Sequence, residues 1–139
     1  MFRGEYQHSI DAKGRIAIPA KFRRELAEGI VLVRGVEGCI YGYALAVWEE
    51  KERAINALNL PAKQRNRIQR QFISSSQDCE LDAQGRIVVP PALRQHAGLE
   101  AEAVIAGTGE RFEIWDRARW QAEMDEIAGD DFSQYHLPF

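Results

Sequence analysis

The chain has 139 residues, of which 45% are hydrophobic and 28% charged, a composition typical of a soluble globular protein. Its two cysteines, Cys39 and Cys79, form no C-x-x-C pair, and no histidines stand at ligand spacing. We therefore expect no disulfide framework, no metal site and a reducing cytoplasm. No apolar run approaches the roughly 18 residues of a membrane span, and the N-terminus does not resemble a signal peptide, so no membrane association is expected.

The net charge of −3 is unevenly distributed along the chain. Residues 1–24 carry six basic and two acidic side chains, a local charge of +4. Residues 110–139 carry eight acidic and three basic ones, a local charge of −5. Because local potential matters more for binding than the total charge, the acidic total does not exclude nucleic acid as a partner.

The first predicted element is a strand over residues 5–10, in which alternation directs His8 to the inner face. The matching stretch in the second half of the chain covers residues 77–81 and has Cys79 in the place of His8. Because cysteine is typical of packed sites, we interpret His8 as a half-buried packing residue and not as a catalyst.

The next stretch, DAKGRIAIP at residues 11–19, returns as DAQGRIVVP at residues 82–90, 71 positions further along. Six of its nine positions carry the same residue in both copies. Repetition of a whole segment at a fixed offset indicates an internal duplication. The chain is therefore predicted to consist of two related repeats.

Each copy is typical of a β-turn that leads into a strand. Asp11 and Gly14 fit a type I turn, in which the carboxylate accepts backbone N–H groups and glycine tolerates a positive φ. Alternation with a period of two then turns Ile16 and Ile18 inward and Arg15 outward. The second copy has Asp82, Gly85, Arg86, Ile87 and Val89 in the same roles. The outward arginine either braces the turn through its aspartate or contacts a ligand, and its presence in both repeats favours the ligand.

Further elements follow each copy. A short helix is predicted over residues 19–29 in the first repeat and over residues 90–98 in the second. The remaining elements are strands 30–33 and 39–43 with helix 46–58, and strands 103–106 and 112–115 with helix 117–128. Each closing helix carries a tryptophan, Trp48 or Trp120, which we interpret as a core anchor and not as a base-stacking platform.

Residues 61–73, between the repeats, contain four basic residues and no acid. The spacing of Ile68 and Phe72 predicts an amphipathic helix with a basic outer face. That face could contact phosphates or the acidic tail of a neighbouring subunit, and we favour the tail because it needs a partner. Residues 74–76, all serine, are predicted to form a flexible joint, and the tail beyond Gly129 is acidic and then aromatic, typical of a mobile or interacting segment.

Each repeat is therefore predicted as β–turn–β–α–β–β–α. The domain boundaries are 1–60 for the first repeat, 61–75 for the basic linker helix and 76–139 for the second repeat with its acidic tail. About 65 residues per repeat is marginal for independent stability, so the two halves are expected to share a core. Four short strands are too few to close a barrel, but two repeats together could close one.

Three segments together resemble the bacterial MraZ family: MFRG at residues 1–4, the doubled D-x-x-G-R-I-x-(I/V)-P segment, and LRQHAGL at residues 93–99. The resemblance covers residues 1–125 and implies a transcription regulator with two SpoVT-AbrB-type domains. The implied fold is α+β, a pseudo-symmetric AbrB-like swapped-hairpin β-barrel formed by the two repeats, with flanking short helices. The chain departs from the family at Ala44 and Ala46, where prolines are usual, and at Ser76, where a small apolar residue is usual, which puts only local loop shape in doubt.

The resemblance also implies a function without catalysis or a cofactor. Members bind double-stranded DNA at short tandem promoter repeats upstream of their own division and cell-wall gene cluster, usually repress it, and form ring-shaped homo-oligomers. We therefore expect a sequence-specific DNA-binding regulator, a repressor, in the cytoplasm and associated with the nucleoid. No small-molecule substrate is expected.

The family motif carries the DNA-contacting role onto Arg15 and Arg86. Lys13 and Gln84, beside them on the turns, are expected to contact phosphates or to make secondary contacts, and Arg3 is a further candidate. The residues assigned to bracing the turns are Asp11, Asp82, Gly14 and Gly85. A carboxylate aimed at phosphate would be repelled, so the aspartates are not expected to touch DNA.

Two other functions stay open at this point. A structural scaffold would use the duplicated turn to pair proteins and not DNA. A hydrolase would use His8, Asp11 and Arg15, but no Ser or Cys nucleophile accompanies a base in both repeats, and the sequence holds no metal-ligand set. An enzyme is therefore not expected.

Overall fold

The computed structural model describes all 139 residues. The first repeat consists of β1 (Phe2–Ser9), β2 (Arg15–Ala17), α1 (Ala20–Arg23), β3 (Ile30–Arg34), β4 (Ile40–Ala44) and α2 (Leu45–Asn56). The linker forms α3 (Ala62–Ile68), continued by a π-helical segment (Gln69–Ile73). The second repeat consists of β5 (Gln77–Cys79), β6 (Arg86–Val88), α4 (Pro91–Ala97), β7 (Glu102–Gly109), β8 (Phe112–Asp116) and α5 (Arg117–Ala128), and a short 3-10 turn (Phe132–Gln134) follows. The predicted order of strands and helices is confirmed in both repeats.

Six of the strands form one antiparallel sheet in the order β1-β7-β8-β4-β3-β5. Its centre consists of two hairpins, β3–β4 of the first repeat and β7–β8 of the second, which pair through β4 and β8. The first strand of each repeat crosses to the hairpin of the other, so that β1 pairs with β7 and β5 pairs with β3. Neither repeat can therefore build its share of this sheet alone.

The remaining strands, β2 and β6, form a separate two-stranded antiparallel ribbon. β1 and β5 lack a strand partner on their outer sides, so the backbone ladder is open and the expected closed barrel is not confirmed. The strands β2, β5 and β6 have only three residues each, too few to join the two edges of the sheet. The fold is a mixed α/β arrangement of two repeats, with a mostly antiparallel sheet and short helices.

The main core contains 18 buried residues drawn from the sheet, the ribbon and the short helices α1 and α4. Alternation in the ribbon sends Ile16 and Ile87 into this core, directly opposite each other in the register, as the pattern predicts. Phe22 of α1 packs edge-on against Phe2 of β1, with ring centroids 4.9 Å apart. Because both repeats contribute these side chains, they share one core.

A second apolar layer covers the opposite face of the sheet, where α2 and α5 dock. Trp48 of α2 is 4% exposed, and its ring centroid lies 5.2 Å from that of Tyr43. Trp120 of α5 is half-buried, and its ring lies 5.7 Å from that of Trp115 in a T-shaped arrangement. Both tryptophans anchor their helices, as predicted.

Local geometry differs from the prediction in two places. The helix after Pro19 ends at Arg23, and turns then carry Leu26 into the core, so α1 is shorter than the predicted 19–29. The serine joint at residues 74–76 makes hydrogen bonds to its surroundings: the Ser75 hydroxyl accepts a hydrogen bond from the Arg34 backbone N–H at 3.2 Å. The Ser74 hydroxyl donates to the Arg70 carbonyl at 2.5 Å, which ends the linker helix.

Cleaving the chain after Ser75 should yield halves that do not stay monomeric. Each half would lose the strand that the other repeat supplies, which leaves the β3–β4 or the β7–β8 hairpin with an unpaired edge and an incomplete core. Sedimentation velocity and thermal melting of the residue 1–75 fragment check this. A soluble monomeric fragment with a cooperative melt would contradict it.

Candidate nucleic-acid interface

The β2–β6 ribbon brings the two predicted turns onto one surface of the molecule. The Ile18 N–H donates to the Gly85 carbonyl at 2.9 Å, and the Val89 N–H donates to the Gly14 carbonyl at 2.8 Å. Each turn is thereby tied to the strand of the other repeat. The two hydrogen bonds are equivalent under the 71-residue offset, so the ribbon is pseudo-symmetric.

The solvent face of the ribbon carries one arginine from each repeat. In the register, Arg15 lies opposite Val88 and Arg86 lies opposite Ala17. Opposed residues point to the same side, so these four side chains share the face that turns away from the core. The two arginines are diagonal neighbours, with Cα atoms roughly 8 Å apart at ordinary strand spacing.

Each turn is stabilised by its aspartate. One Asp11 carboxylate oxygen accepts hydrogen bonds from the backbone N–H groups of Lys13 at 3.0 Å and Arg15 at 2.9 Å, and the other accepts one from Arg15 Nε at 2.7 Å. In the second repeat, Asp82 accepts from the Gln84 and Arg86 backbone N–H groups at 2.9 Å and from Arg86 Nε at 3.0 Å. Each aspartate thus fixes both the turn and the arginine that follows it.

The same hydrogen bonds lower the pKa of both carboxyl groups. For Asp11, the backbone N–H of Arg15 is the main cause of a pKa below the ordinary 3.8, and the Arg15 side chain adds to it. For Asp82, the backbone N–H of Arg86 has the same effect. Both aspartates are therefore ionised at neutral pH, and each neutralises part of the charge of its arginine.

Two further arginines, which the sequence pattern did not single out, lie against the turns. Arg23 Nε donates to the Ile18 carbonyl at 2.9 Å, and Arg94 Nε donates to the Val89 carbonyl at 3.0 Å. The Arg94 guanidinium packs on Gly14, where a Cβ atom would lie 2.9 Å from its Cζ, and the Arg23 guanidinium packs on Gly85 in the same way. The turn glycines thus serve two purposes, since their φ angles of 81° and 75° also suit glycine alone. The 71-residue offset between Arg23 and Arg94 is the signal that could have found this pair.

Of the remaining candidates, the structure places two at the turns and one elsewhere. Lys13 and Gln84 are exposed on the turns, and the Gln84 side-chain carbonyl accepts a hydrogen bond from Arg86 at 2.6 Å. Arg3 pairs with Thr108 near the start of β1, eight residues and roughly 26 Å of extended strand before Asp11. Arg3 therefore does not belong to this surface.

The geometry offers no catalytic arrangement around His8. Its Nε2 atom is buried without a hydrogen-bond partner, and its pKa is lowered first by burial and then by the charge of Arg23. Burial also raises the pKa of the Cys39 thiol to about 12 and that of Cys79 to about 11, so neither thiol ionises readily. No group of three or more His, Cys, Asp or Glu side chains is arranged to hold a metal ion. None of the helices combines the length and the apolar composition that a membrane crossing requires.

The double variant Asp11→Asn/Asp82→Asn should flatten the acid limb of the stability profile. A folded-state pKa below the unfolded one means that the unfolded chain binds more protons, so each aspartate adds stability above its ordinary pKa of 3.8 and loses it as the pH falls through the lowered value. Asparagine keeps the oxygen that accepts the backbone N–H groups but not the titration. Urea unfolding between about pH 5 and 2 measures the slope. Asp130→Asn, whose carboxylate accepts no hydrogen bond from a turn, is the control, and equal slopes in the double variant and the native chain would contradict the assignment.

Comparison with known proteins identifies the family. The family model described as "MraZ protein, putative antitoxin-like" matches this chain twice, at residues 1–71 and 72–136. Curated proteins named "Transcriptional regulator MraZ" are similar over most of their length. The one from Ligilactobacillus salivarius is 43% identical over 100% of this chain and 99% of its own, and the one from Lachnoclostridium phytofermentans is 44% identical over 100% of both. The one from Lactobacillus delbrueckii subsp. bulgaricus is 48% identical over 91% of this chain and 88% of its own. The chain belongs to the MraZ family.

Proposed function

We propose that this chain is a sequence-specific DNA-binding transcription regulator whose reading head is the ribbon surface. We define the ribbon surface as the solvent side of β2 and β6 with the two turns before them. The observation that supports the proposal most is the pair of arginines, one per repeat, fixed side by side on that surface by Asp11 and Asp82. The relatives named as transcriptional regulators support the same conclusion.

The two arginines have the chemistry that base recognition needs. Their Nε atoms are occupied by the aspartates, and the Nη groups of Arg15 make no hydrogen bond within the chain. A guanidinium can donate two parallel hydrogen bonds to O6 and N7 of guanine, and a two-stranded ribbon fits into the major groove, which is about 12 Å wide. Between the arginines lies Val88, 53% exposed, which could contact a thymine methyl group.

The ribbon surface is positively charged although the chain is acidic. Lys13, Arg15, Arg23, Arg86 and Arg94 lie at or against the turns, and the only carboxylates there are the two turn aspartates, both hydrogen-bonded. The lysine and the inner arginine pair would face phosphates, which position a protein on the duplex without reading sequence. Gln84 would hold Arg86 in place or contact DNA itself.

The family supplies the finer part of this proposal. We infer an AbrB-like reading domain that binds short tandem repeats in the promoter of its own division and cell-wall gene cluster, and that represses this cluster at the nucleoid. Two arginines give one copy few base contacts, so several copies on tandem sites would multiply affinity through effective concentration. A ring-shaped homo-oligomer would present ribbon surfaces in this way.

Replacing Arg15 with alanine should weaken binding to the specific promoter duplex by about tenfold or more, because one bidentate base contact is lost. Fluorescence anisotropy against the promoter duplex and a scrambled duplex measures the change, and circular dichroism checks that the variant folds. Arg3→Ala is the matched control, since Arg3 is exposed but lies off the ribbon surface. Unaltered specific affinity in folded Arg15→Ala would refute the DNA role, and a full-length oligomer without DNA affinity would favour the scaffold.

Binding to duplexes with several tandem sites should be tighter than binding to one site and more sensitive to salt. Each phosphate neutralised adds about −0.9 to the slope of log affinity against log salt, and copies that bind together add their slopes. A titration of duplexes with one, two and three sites at three salt concentrations measures both quantities. Equal affinity and slope for all three duplexes would contradict binding by several linked copies.

A further inference from the structure

The large apolar side chains that remain exposed are concentrated in two parts of the molecule. Nine such residues are Met1, Val36, Leu58, Leu60, Val88, Phe132, Tyr135, Leu137 and Phe139. Four belong to the tail, which we define as residues 130–139, and Phe139 is 99% exposed. Two others, Val36 and Leu58, line a groove on the second apolar layer. The rest of the surface has few exposed apolar side chains.

The apolar groove lies between α2, the linker helix and the end of β4, and we define it by Val36, Trp48, Ile55, Leu58, Ile68 and Phe72. It has a volume of about 460 Å³, and nine of its eleven lining residues are hydrophobic. Ile68 and Phe72 are the inner face of the basic linker helix, and both are only half-buried by the contacts within one chain. The groove could therefore bury more apolar surface if a segment of matching chemistry occupied it.

The remaining groove residues include two cations. Lys51 is bonded to Glu110, and Arg111 stacks over the Tyr41 ring with its Cζ 3.7 Å from the ring centroid. Arg111 Nε is buried without a partner, and its nearest carboxylate contact, from Nη2 to Glu113, is 3.7 Å long. The linker helix adds exposed Lys63, Arg67 and Arg70 nearby in the chain and has no acid. An acidic and apolar partner would fit both the groove and its charge.

The tail has that composition. Asp130 and Asp131 precede the four exposed apolar residues, and all ten residues of the tail are exposed. Its side chains contact one another, as in the Phe132–Tyr135 ring pair at 6.1 Å and the Ser133–Asp131 hydrogen bond, but none makes a hydrogen bond or ion pair with the body of the chain. The tail is thus without a partner in its own copy.

The two repeats differ at this point, and the difference gives the contact a direction. In the first repeat the linker helix covers part of α2 and builds the groove, whereas in the second repeat α5 is followed by the tail. A contact between the tail of one copy and the groove of the next joins different surfaces, and such contacts repeat into rings when the rotation closes.

We propose that the apolar groove of one copy binds residues 130–139 of a neighbouring copy, with the tail aspartates facing Lys51, Arg111 and the basic linker helix. This inference rests on the self-assembly in the proposed function and not on its DNA contacts. The apolar tail residues would be buried against Trp48, Leu58 and Phe72, and the buried Arg111 would gain a carboxylate.

Three full-length variants test the contact. Leu58→Glu puts a charge into the groove and should weaken self-association by about thirtyfold or more, the effect of losing a buried anchor. Leu60→Glu is the matched control, since Leu60 is 36% exposed against 37% for Leu58 but does not line the groove. Phe132→Asp/Leu137→Asp disables the tail. Sedimentation velocity over a concentration series measures association, and thermal melting checks the fold.

Mixing the groove variant with the tail variant distinguishes copies that bind each other from a tail that folds back on its own copy. Each variant alone lacks one half of every contact, whereas the mixture has one intact groove and one intact tail, so a one-to-one heterodimer should form. Oligomers of native size in either variant alone, or a mixture that stays monomeric, would overturn the proposal. Both variants should keep native affinity for a duplex with a single site, so a failure of the DNA proposal would be seen separately in that measurement.

Discussion

The pairing of β2 with β6 is the constraint on which the rest of the molecule depends. It places Ile16 and Ile87 opposite each other in the core and leaves Arg15 and Arg86 on the outside of the same ribbon. Because each turn is hydrogen-bonded to the strand of the other repeat, neither turn could hold this position in a separated half. A duplicated sequence is thereby converted into one surface with two equivalent arginines.

The turns combine rigidity with charge in a way that single residues could not provide. Each aspartate accepts two backbone N–H groups and one guanidinium N–H, so the arginine is oriented before any ligand arrives. Ordering a free arginine on binding would cost side-chain entropy, and that cost is largely met when the chain folds. The second pair, Arg23 and Arg94, packs on the turn glycines and keeps the surface positive beside the aspartates.

The doubled segment made much of this predictable from sequence. Its period-two pattern gave the inward Ile16 and the outward Arg15 correctly, and the tryptophan spacing identified Trp48 as a core anchor. The exchange of β1 and β5 between the hairpins, and the open edges of the sheet, were less accessible, since strand pairing between distant segments depends on tertiary packing. Arg23 was missed because its role arises from contact with a glycine of the other repeat, 62 residues away in the chain.

Photocrosslinking from Val88 tests the central claim most directly. Val88 lies between the two arginines and is 53% exposed, so a benzophenone side chain in its place would point out of the ribbon surface. With the promoter duplex, a protein carrying the probe at position 88 should crosslink to DNA in the major groove, and a protein with the probe at Leu137 in the tail should not. Crosslinks to DNA from position 137 and none from position 88 would contradict the assignment of the ribbon surface as the DNA-reading site.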